Sequence, residues 1–238
     1  MRKVIILNAS PRKNFNTATL LKEAQRGAES VGAQVEYINL VDLNYKGCMS
    51  CFACKVKGNK TGGLCAYRDD LRPVLEKILQ ADALIIGTPI YYSYPTGMFR
   101  NLLERLFFAV MTYDKSETNP NAPKLLLEKK LATGIIYTMN CTPERAEQFN
   151  YPAILSSDWN SFKWLFGHCE VLNSYNTYQF SDYSRYMADI VDEKDKAHTR
   201  DTQFPIDKQK AFELGKRLAE MHKIIDRSCL MVGAVFTS

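Results

Sequence analysis

Apolar runs of strand length alternate along this chain with segments of helical period, and that alternation predicts a parallel sheet covered on both faces. Lys3 to Leu7 reads as a first, fully buried strand. Between Thr17 and Val31, Leu20, Leu21, Ala24 and Ala28 recur at helical spacing and Gly32 stops the run, which predicts a helix. Gln34 to Leu40 reads as a second strand, residues 44–67 as a loop rich in Cys, Gly and Lys, and Asp69 to Leu79 as a helix whose opening acids suit a helix N-terminus. Ala83 to Gly87 is wholly apolar and predicts the third strand, Gly97 to Val110 a helix, Lys130 to Tyr137 a fourth strand and Glu170 to Tyr175 a fifth. Ile206 to Arg227 reads as a long helix with Ala211, Leu214, Leu218, Met221 and Ile225 on one side. The expected fold class is therefore α/β, a doubly wound five-stranded parallel sheet of order 2-1-3-4-5.

Two stretches depart from that rhythm. Residues 112–128 are polar, with turns expected at Asn119-Pro120-Asn121-Ala122-Pro123. Residues 180–205 are aromatic and then highly charged. Both read as insertions in a single domain over residues 1–238, which closes with the C-terminal helix and an apolar tail, residues 206–238.

Composition narrows the function classes. Among 238 residues, 46% are hydrophobic and 24% charged, the balance of an ordinary globular protein. The net charge of +5 is mild, and Lys and Arg alternate with Asp and Glu, so no nucleic-acid partner is expected. A small positive bias does suit phosphate-bearing cofactors. Met1-Arg2-Lys3 leads into only four apolar residues before Asn8, which is not a signal-peptide pattern, and no apolar run approaches the ~20 residues of a membrane span. Seven cysteines in that context read as thiols in a reducing, cytoplasmic setting. The three histidines, His168, His198 and His222, are scattered and suggest no hydrolytic triad.

Chemistry concentrates where strands end. Asn8-Ala9-Ser10-Pro11-Arg12-Lys13-Asn14-Phe15-Asn16-Thr17 joins a buried strand to a helix without a GxGxxG or Walker lysine pattern. Ser10, Asn16 and Thr17 can donate hydrogen bonds to a phosphomonoester, Arg12 can pair with its charge, and the amides of the first helical turn, Ala18 included, favour an anion. The same residues would also serve as an ordinary N-cap and a solvated basic loop. The third strand runs into Gly87-Thr88-Pro89-Ile90-Tyr91-Tyr92-Ser93-Tyr94-Pro95-Thr96-Gly97. In a sheet of order 2-1-3-4-5 the first and third strands part at the topological switch point, where ligands lodge. Thr88, Pro89, Ile90, Tyr91, Tyr92 and Gly97 could flank a flat ring there, or the tyrosines could simply close the sheet edge. Thr138, Met139 and Asn140, at the end of the fourth strand, are counted with the same crevice.

Taken together, these residues resemble the flavodoxin-like NAD(P)H-dependent FMN reductase family, including its iron–sulfur flavoprotein branch. The resemblance is carried by Ser10-Pro11-Arg12-Lys13 with Asn16-Thr17, Gly47-Cys48 with Cys51 and Cys54, Cys65 with Asp69-Asp70, Ala81-Asp82, and Thr88-Pro89-Ile90-Tyr91 with Gly97, over roughly residues 1–175. Asn8-Ala9 stands where the family usually has a glycine, and the C-terminal third is longer than usual. The resemblance implies FMN as cofactor, NAD(P)H as co-substrate, a small acceptor (flavin, quinone, nitro or azo compound), and a homodimer whose partner borders the flavin. The apolar tail Leu230 to Phe236 and the aromatic run Tyr175, Tyr178, Phe180, Tyr183 and Tyr186 also suggest a surface for a second copy.

Cys48-x2-Cys51-x2-Cys54 with Cys65 ten residues on leaves two readings open. Three thiolates at that spacing and a fourth nearby can hold a [4Fe–4S] cube. Equally, the four can be free thiols in a mobile loop beside the flavin. Zinc is disfavoured, since no histidine is near. Cys141, Cys169 and Cys229 are isolated and read as ordinary core cysteines. Beside the reductase reading stand an iron–sulfur one-electron carrier and a non-catalytic binding module that has lost its ligand.

Overall fold

Three apolar runs form the buried centre of one sheet, and two more polar, half-buried strands flank it at the edges. In the computed structural model, which describes residues 1–127 and 129–221, these are β1 (Lys3–Asn8), β2 (Gln34–Asn39), β3 (Ala83–Tyr91), β7 (Leu131–Thr138) and β8 (Gly167–Ser174). Three short strands lie off this set: β4 (Tyr94–Pro95), β5 (Met111–Lys115) and β6 (Pro123–Leu125). The five run β2-β1-β3-β7-β8 with every neighbouring pair parallel, which is the expected 2-1-3-4-5 order.

The helices are α1 (Asn16–Ser30), α2 (Leu71–Gln80), α3 (Gly97–Val110), α4 (Pro143–Gln148), α5 (Tyr151–Phe166) and α6 (Glu193–Glu220). On one face Val4, Ile6, Ile85 and Ile136 pack with Leu20 and Leu21 of α1 and Leu214 and Leu218 of α6. On the other, Ile5, Leu7, Leu84, Ile86 and Ile135 meet α2, α3 and α5 through Leu75, Leu102, Leu106, Phe162 and Phe166. α1 and α6 touch backbone to backbone. A Cβ on Gly27 would stand 1.9 Å from the Phe212 carbonyl oxygen, and one on Gly215 1.9 Å from that of Ala24.

The structure departs from the sequence expectation at several places. β3 continues past Gly87 to Tyr91 and returns as β4 through Tyr92 and Ser93, both left-handed, the geometry of a two-residue hairpin turn. The polar 112–128 insertion carries the β5–β6 hairpin. Residues 143–166, unassigned from sequence, form α4 and α5, with Thr142 capping the Arg145 amide and Pro143 in the first turn. The last helix begins at Glu193 instead of Ile206. Pro205 looks like a stop but lies inside α6, because Asp192 caps Lys194 and Asp195 and acids fill the first turn. The charged half of the 180–205 insertion is thus helix. The end of the expected helix at Arg227, with Ile225, the tail from Leu230 to Phe236, His222 and Cys229, lies outside the described residues. No helix among the described residues is long and apolar enough to cross a membrane.

Candidate functional site

All four loops that follow β1, β3, β7 and β8 leave the carboxyl edge of the sheet, and side chains tie them together. Asn8, wholly buried, accepts the Ser10 amide at 3.0 Å and donates to Asn39 Oδ1 at 3.0 Å, so its side chain shapes the turn after β1. This is what the asparagine does where a glycine was expected. Ser10 Oγ then accepts the Arg12 amide. The residue before α1 is Phe15, no side chain caps the helix, and no acid sits in its first turn. Its leading N–H groups and positive dipole end are left for an anion. Asn16 donates to the Tyr178 carbonyl at 2.7 Å, and Arg12 donates to that of Gln179 at 2.7 Å while lying 3.9 Å over the Phe15 ring. The Thr17 and Thr138 hydroxyls meet at 2.8 Å. Ser10, Arg12, Asn16, Thr17 and Thr138 are therefore brought to one rim, with Ala18 buried in the first turn behind them.

Thr88 and Pro89 sit within β3, opposite Tyr137 and Thr138. The Thr88 hydroxyl is buried and accepts the Thr96 amide at 3.2 Å, while Thr96 Oγ1 donates to the Ala9 carbonyl at 2.7 Å and caps Phe99. Thr96, which sequence reasoning passed over, locks the third-strand loop to the first. Its signal was available: a threonine directly before the helix-opening Gly97. Beyond the lock, Ile90 is half-buried, Tyr91 and Tyr94 are exposed, and Tyr92 is fully so. The left-handed backbone at Tyr92 and Ser93 is costly for residues with a Cβ, so this hairpin is held in shape by its surroundings. Gly97 opens α3 with empty space beside it.

Met139 is buried, and its carbonyl accepts both the amide and the hydroxyl of Thr177; Asn140 is exposed at the rim. Lys196, from the unforeseen first half of α6, reaches under this loop. Its ammonium donates to the Asn140 carbonyl at 2.7 Å, Asn176 Oδ1 at 2.9 Å and the Thr177 carbonyl at 3.3 Å. Burial pulls its pKa down to about 8. The aromatic run beyond β8 packs largely on itself: Tyr178 and Phe180 contact Tyr183, and Phe180 stacks on Tyr186 at 4.0 Å.

The second feature is the cysteine loop, packed along α3. Cys48, Cys51, Cys54 and Cys65 line one small cavity with Glu104, Arg105 and Phe108 of α3 behind them. Its enclosed volume is about 20 Å³, room for roughly one water. Burial pushes the Cys54 thiol up, and Cys65 and Cys51 push the same way against the pull of Lys55. Gly47 leaves room at the loop's entry for the Glu104 carboxylate, which a Cβ there would meet at 2.5 Å and displace. Glu104 accepts the Cys48 amide at 3.1 Å and Arg105 donates to Cys65 Sγ at 3.4 Å, so adjacent α3 residues hold the first and last cysteines. Asp69 and Asp70, expected to open a helix, instead pin the loop's base: Asp70 accepts the Asn44 amide at 2.8 Å and Asp69 those of Lys46 and Leu71, with α2 starting at Leu71. Among the described residues, no three metal-ligating side chains converge at metal-bonding range. Cys141 and Cys169 lie elsewhere, each with a thiol pushed up by burial.

A five-stranded sheet of this order, with its polar loops gathered at the switch point, defines a flavodoxin-like protein. Residues 2–135 match the NADPH-dependent FMN reductase family, and the chain belongs to that family. An iron-sulfur flavoprotein of Archaeoglobus fulgidus is 39% identical over 109 residues, 46% of this chain and 51% of that protein. Another, from Methanocaldococcus jannaschii, is 33% identical over 103 residues, 43% of this chain and 51% of that protein. The matched stretch spans about half the length of these curated relatives. Among solved structures, the NAD(P)H:quinone oxidoreductase from Methanothermobacter marburgensis superposes with a TM-score of 0.64 at 17% identity, over 93% of this chain and 98% of that one. An FMN-dependent NADH-azoreductase from Bacillus anthracis gives 0.59 at 14% identity, over 92% and 100%. At such identities the likeness is one of fold.

Proposed function

We propose that this chain is an FMN-dependent oxidoreductase that moves electrons from NAD(P)H to a small acceptor of the flavin, quinone, nitro or azo kind. The observation that carries this reading is the uncapped N-terminus of α1 facing a rim made of four hydrogen-bonded loops. In it the Asn16, Thr17 and Ala18 amides, the Ser10 hydroxyl and Arg12 receive the phosphate. Ile90, Tyr91 and Tyr92 wall one side of the ring, and Thr138, Met139 and Asn140 the other. Thr88 and Pro89 act from behind by fixing the loop, and Gly97 leaves the α3 end open. Bound FMN supplies the hydride chemistry. The chain's residues bind it, orient it and leave one face open past the exposed tyrosines. Anaerobically purified protein should show flavin absorption, about one FMN per chain, and bleaching on addition of NADH or NADPH. A colourless protein that refuses added FMN would make the chain a non-catalytic binding module instead.

A specific observation favours a second reading, an iron–sulfur flavoprotein. Four thiols line one cavity, and the named relatives of this sequence are iron–sulfur flavoproteins. The donor set fits a [4Fe–4S] cluster in kind, four thiols along one cavity, and Cys48, Cys51, Cys54 and Cys65 would be its holders. Such a cluster supplies one-electron transfer. Iron and sulfide analysis of the same sample decides between the two: four of each per chain supports the carrier, none leaves the cysteine loop as a lid over acceptor access. We place either protein in the cytoplasm as a homodimer.

A further inference from the structure

We propose that Arg105 is a positioning residue for the four-cysteine site, which holds Cys65 in place and raises the site's reduction potential through an N–H···S hydrogen bond. This rests on the iron–sulfur reading above.

Arginine is seldom wholly buried, yet Arg105 is 1% exposed on a helix face otherwise filled by Leu102, Leu106 and Ala109. A buried guanidinium is costly unless its donors are satisfied. Every acceptor it finds belongs to the cysteine loop. Nε donates to Cys65 Sγ at 3.4 Å, one terminal nitrogen to the Asp69 carboxylate and, at 3.3 Å, to the Lys46 carbonyl, and the other to the Tyr67 carbonyl at 2.9 Å. Residue 46 enters the loop and residues 65–69 leave it. Arg105 therefore closes the loop's neck. Asp69 balances its charge, so what reaches the sulfur is mainly a directed N–H dipole. Donors to a ligating sulfur favour the electron-richer, reduced state and so raise the potential. Arg72 also approaches, but it donates to the Cys65 carbonyl, at 3.0 Å, and not to the sulfur.

The test uses the full chain, anaerobically reconstituted with iron and sulfide, as wild type, Arg105→Lys and Arg105→Gln. Readouts are iron and FMN per chain and an EPR-monitored redox titration. FMN content and flavin potential should be unchanged. The cluster's reduced-to-oxidised ratio at fixed potential should fall about tenfold, a downward shift of about 59 mV for one electron. Variants that hold full iron at the wild-type potential overturn the role of Arg105 and leave the cluster reading standing. Wild type that binds FMN but no iron overturns the cluster reading, and this inference with it. Should the variants not fold, the wild type decides. With 15N-arginine, pulsed EPR of the reduced protein should show a nitrogen coupling that survives Arg72→Lys; its absence overturns the hydrogen bond.

Discussion

Arg12 shows how a single rim residue can serve both fold and ligand. One terminal nitrogen reaches the Gln179 carbonyl and the guanidinium lies flat on Phe15, which preorganises the side chain beside the uncapped start of α1. A charge-assisted hydrogen bond contributes about 1.5–3 kcal/mol. Arg12→Ala should therefore weaken FMN binding roughly ten- to hundredfold, read by fluorescence titration of the apoprotein. Unchanged affinity would place the phosphate elsewhere. At this scale what was legible in the sequence was position: Ser10 lies directly after a strand, and Asn16 and Thr17 at a helix start. Arg105, Lys196 and Asn8 were not legible in role, because each is a polar group buried against partners far away in sequence. Arg105 pairs with Asp69, Lys196 with Asn140 and Asn8 with Asn39. A helical arginine or lysine reads by default as solvated, and only the tertiary structure supplies its acceptors.

At the scale of elements, β1, β3 and β7 were legible as continuous apolar runs and β2 and β8 from their place in the alternating order, while α3 matches Gly97–Val110 residue for residue. α6 was misjudged at its start because a proline ordinarily ends a helix. Its N-terminal half is held by the Asp192 cap and the buried Lys196, neither visible as periodicity. The close approach of α1 and α6 has a direct consequence. Gly215→Ala must push the helices apart, and overpacking of this kind costs about 1–3 kcal/mol. Its urea midpoint should fall without a change in m-value. The other side of α6 binds β8 through charge. Glu170 lies 3.4 Å from His168 Nε2 and 2.7 Å from Arg217, and these two partners hold its carboxyl down to about 2, against partial burial. A carboxyl lowered on folding stabilises the native state fully above its ordinary pKa of 4.5, and that contribution disappears as pH falls towards 2. Glu170→Gln should therefore be less stable than wild type at pH 7, with the gap narrowing between pH 4.5 and pH 2. A gap independent of pH would show the pair to be inert.

For the molecule as a whole, two of the exposed apolar groups among the described residues follow strands that border the candidate flavin crevice. Tyr91, Tyr92 and Tyr94 project from the hairpin after β3, and Tyr186, Met187 and Ile190 stand exposed in the segment after β8. Both segments leave the same edge of the sheet. The core is already complete without them, since both faces of the sheet are covered by helices. The hairpin is moreover kept in a left-handed backbone that Tyr92 and Ser93 adopt at a cost, so relaxation is not what leaves the rings outside. A rim of this kind suits burial against a second copy, which would also shield the crevice from water. Light scattering at micromolar concentration should then give a mass near twice 27.2 kDa. Replacing Tyr92 and Met187 together by Asp should shift the species towards one chain while the far-ultraviolet circular dichroism stays unchanged, because neither side chain enters the core. FMN should also bind more weakly to that variant, as its ring would lose a wall. A wild-type mass of one chain would assign the exposed tyrosines to the acceptor alone.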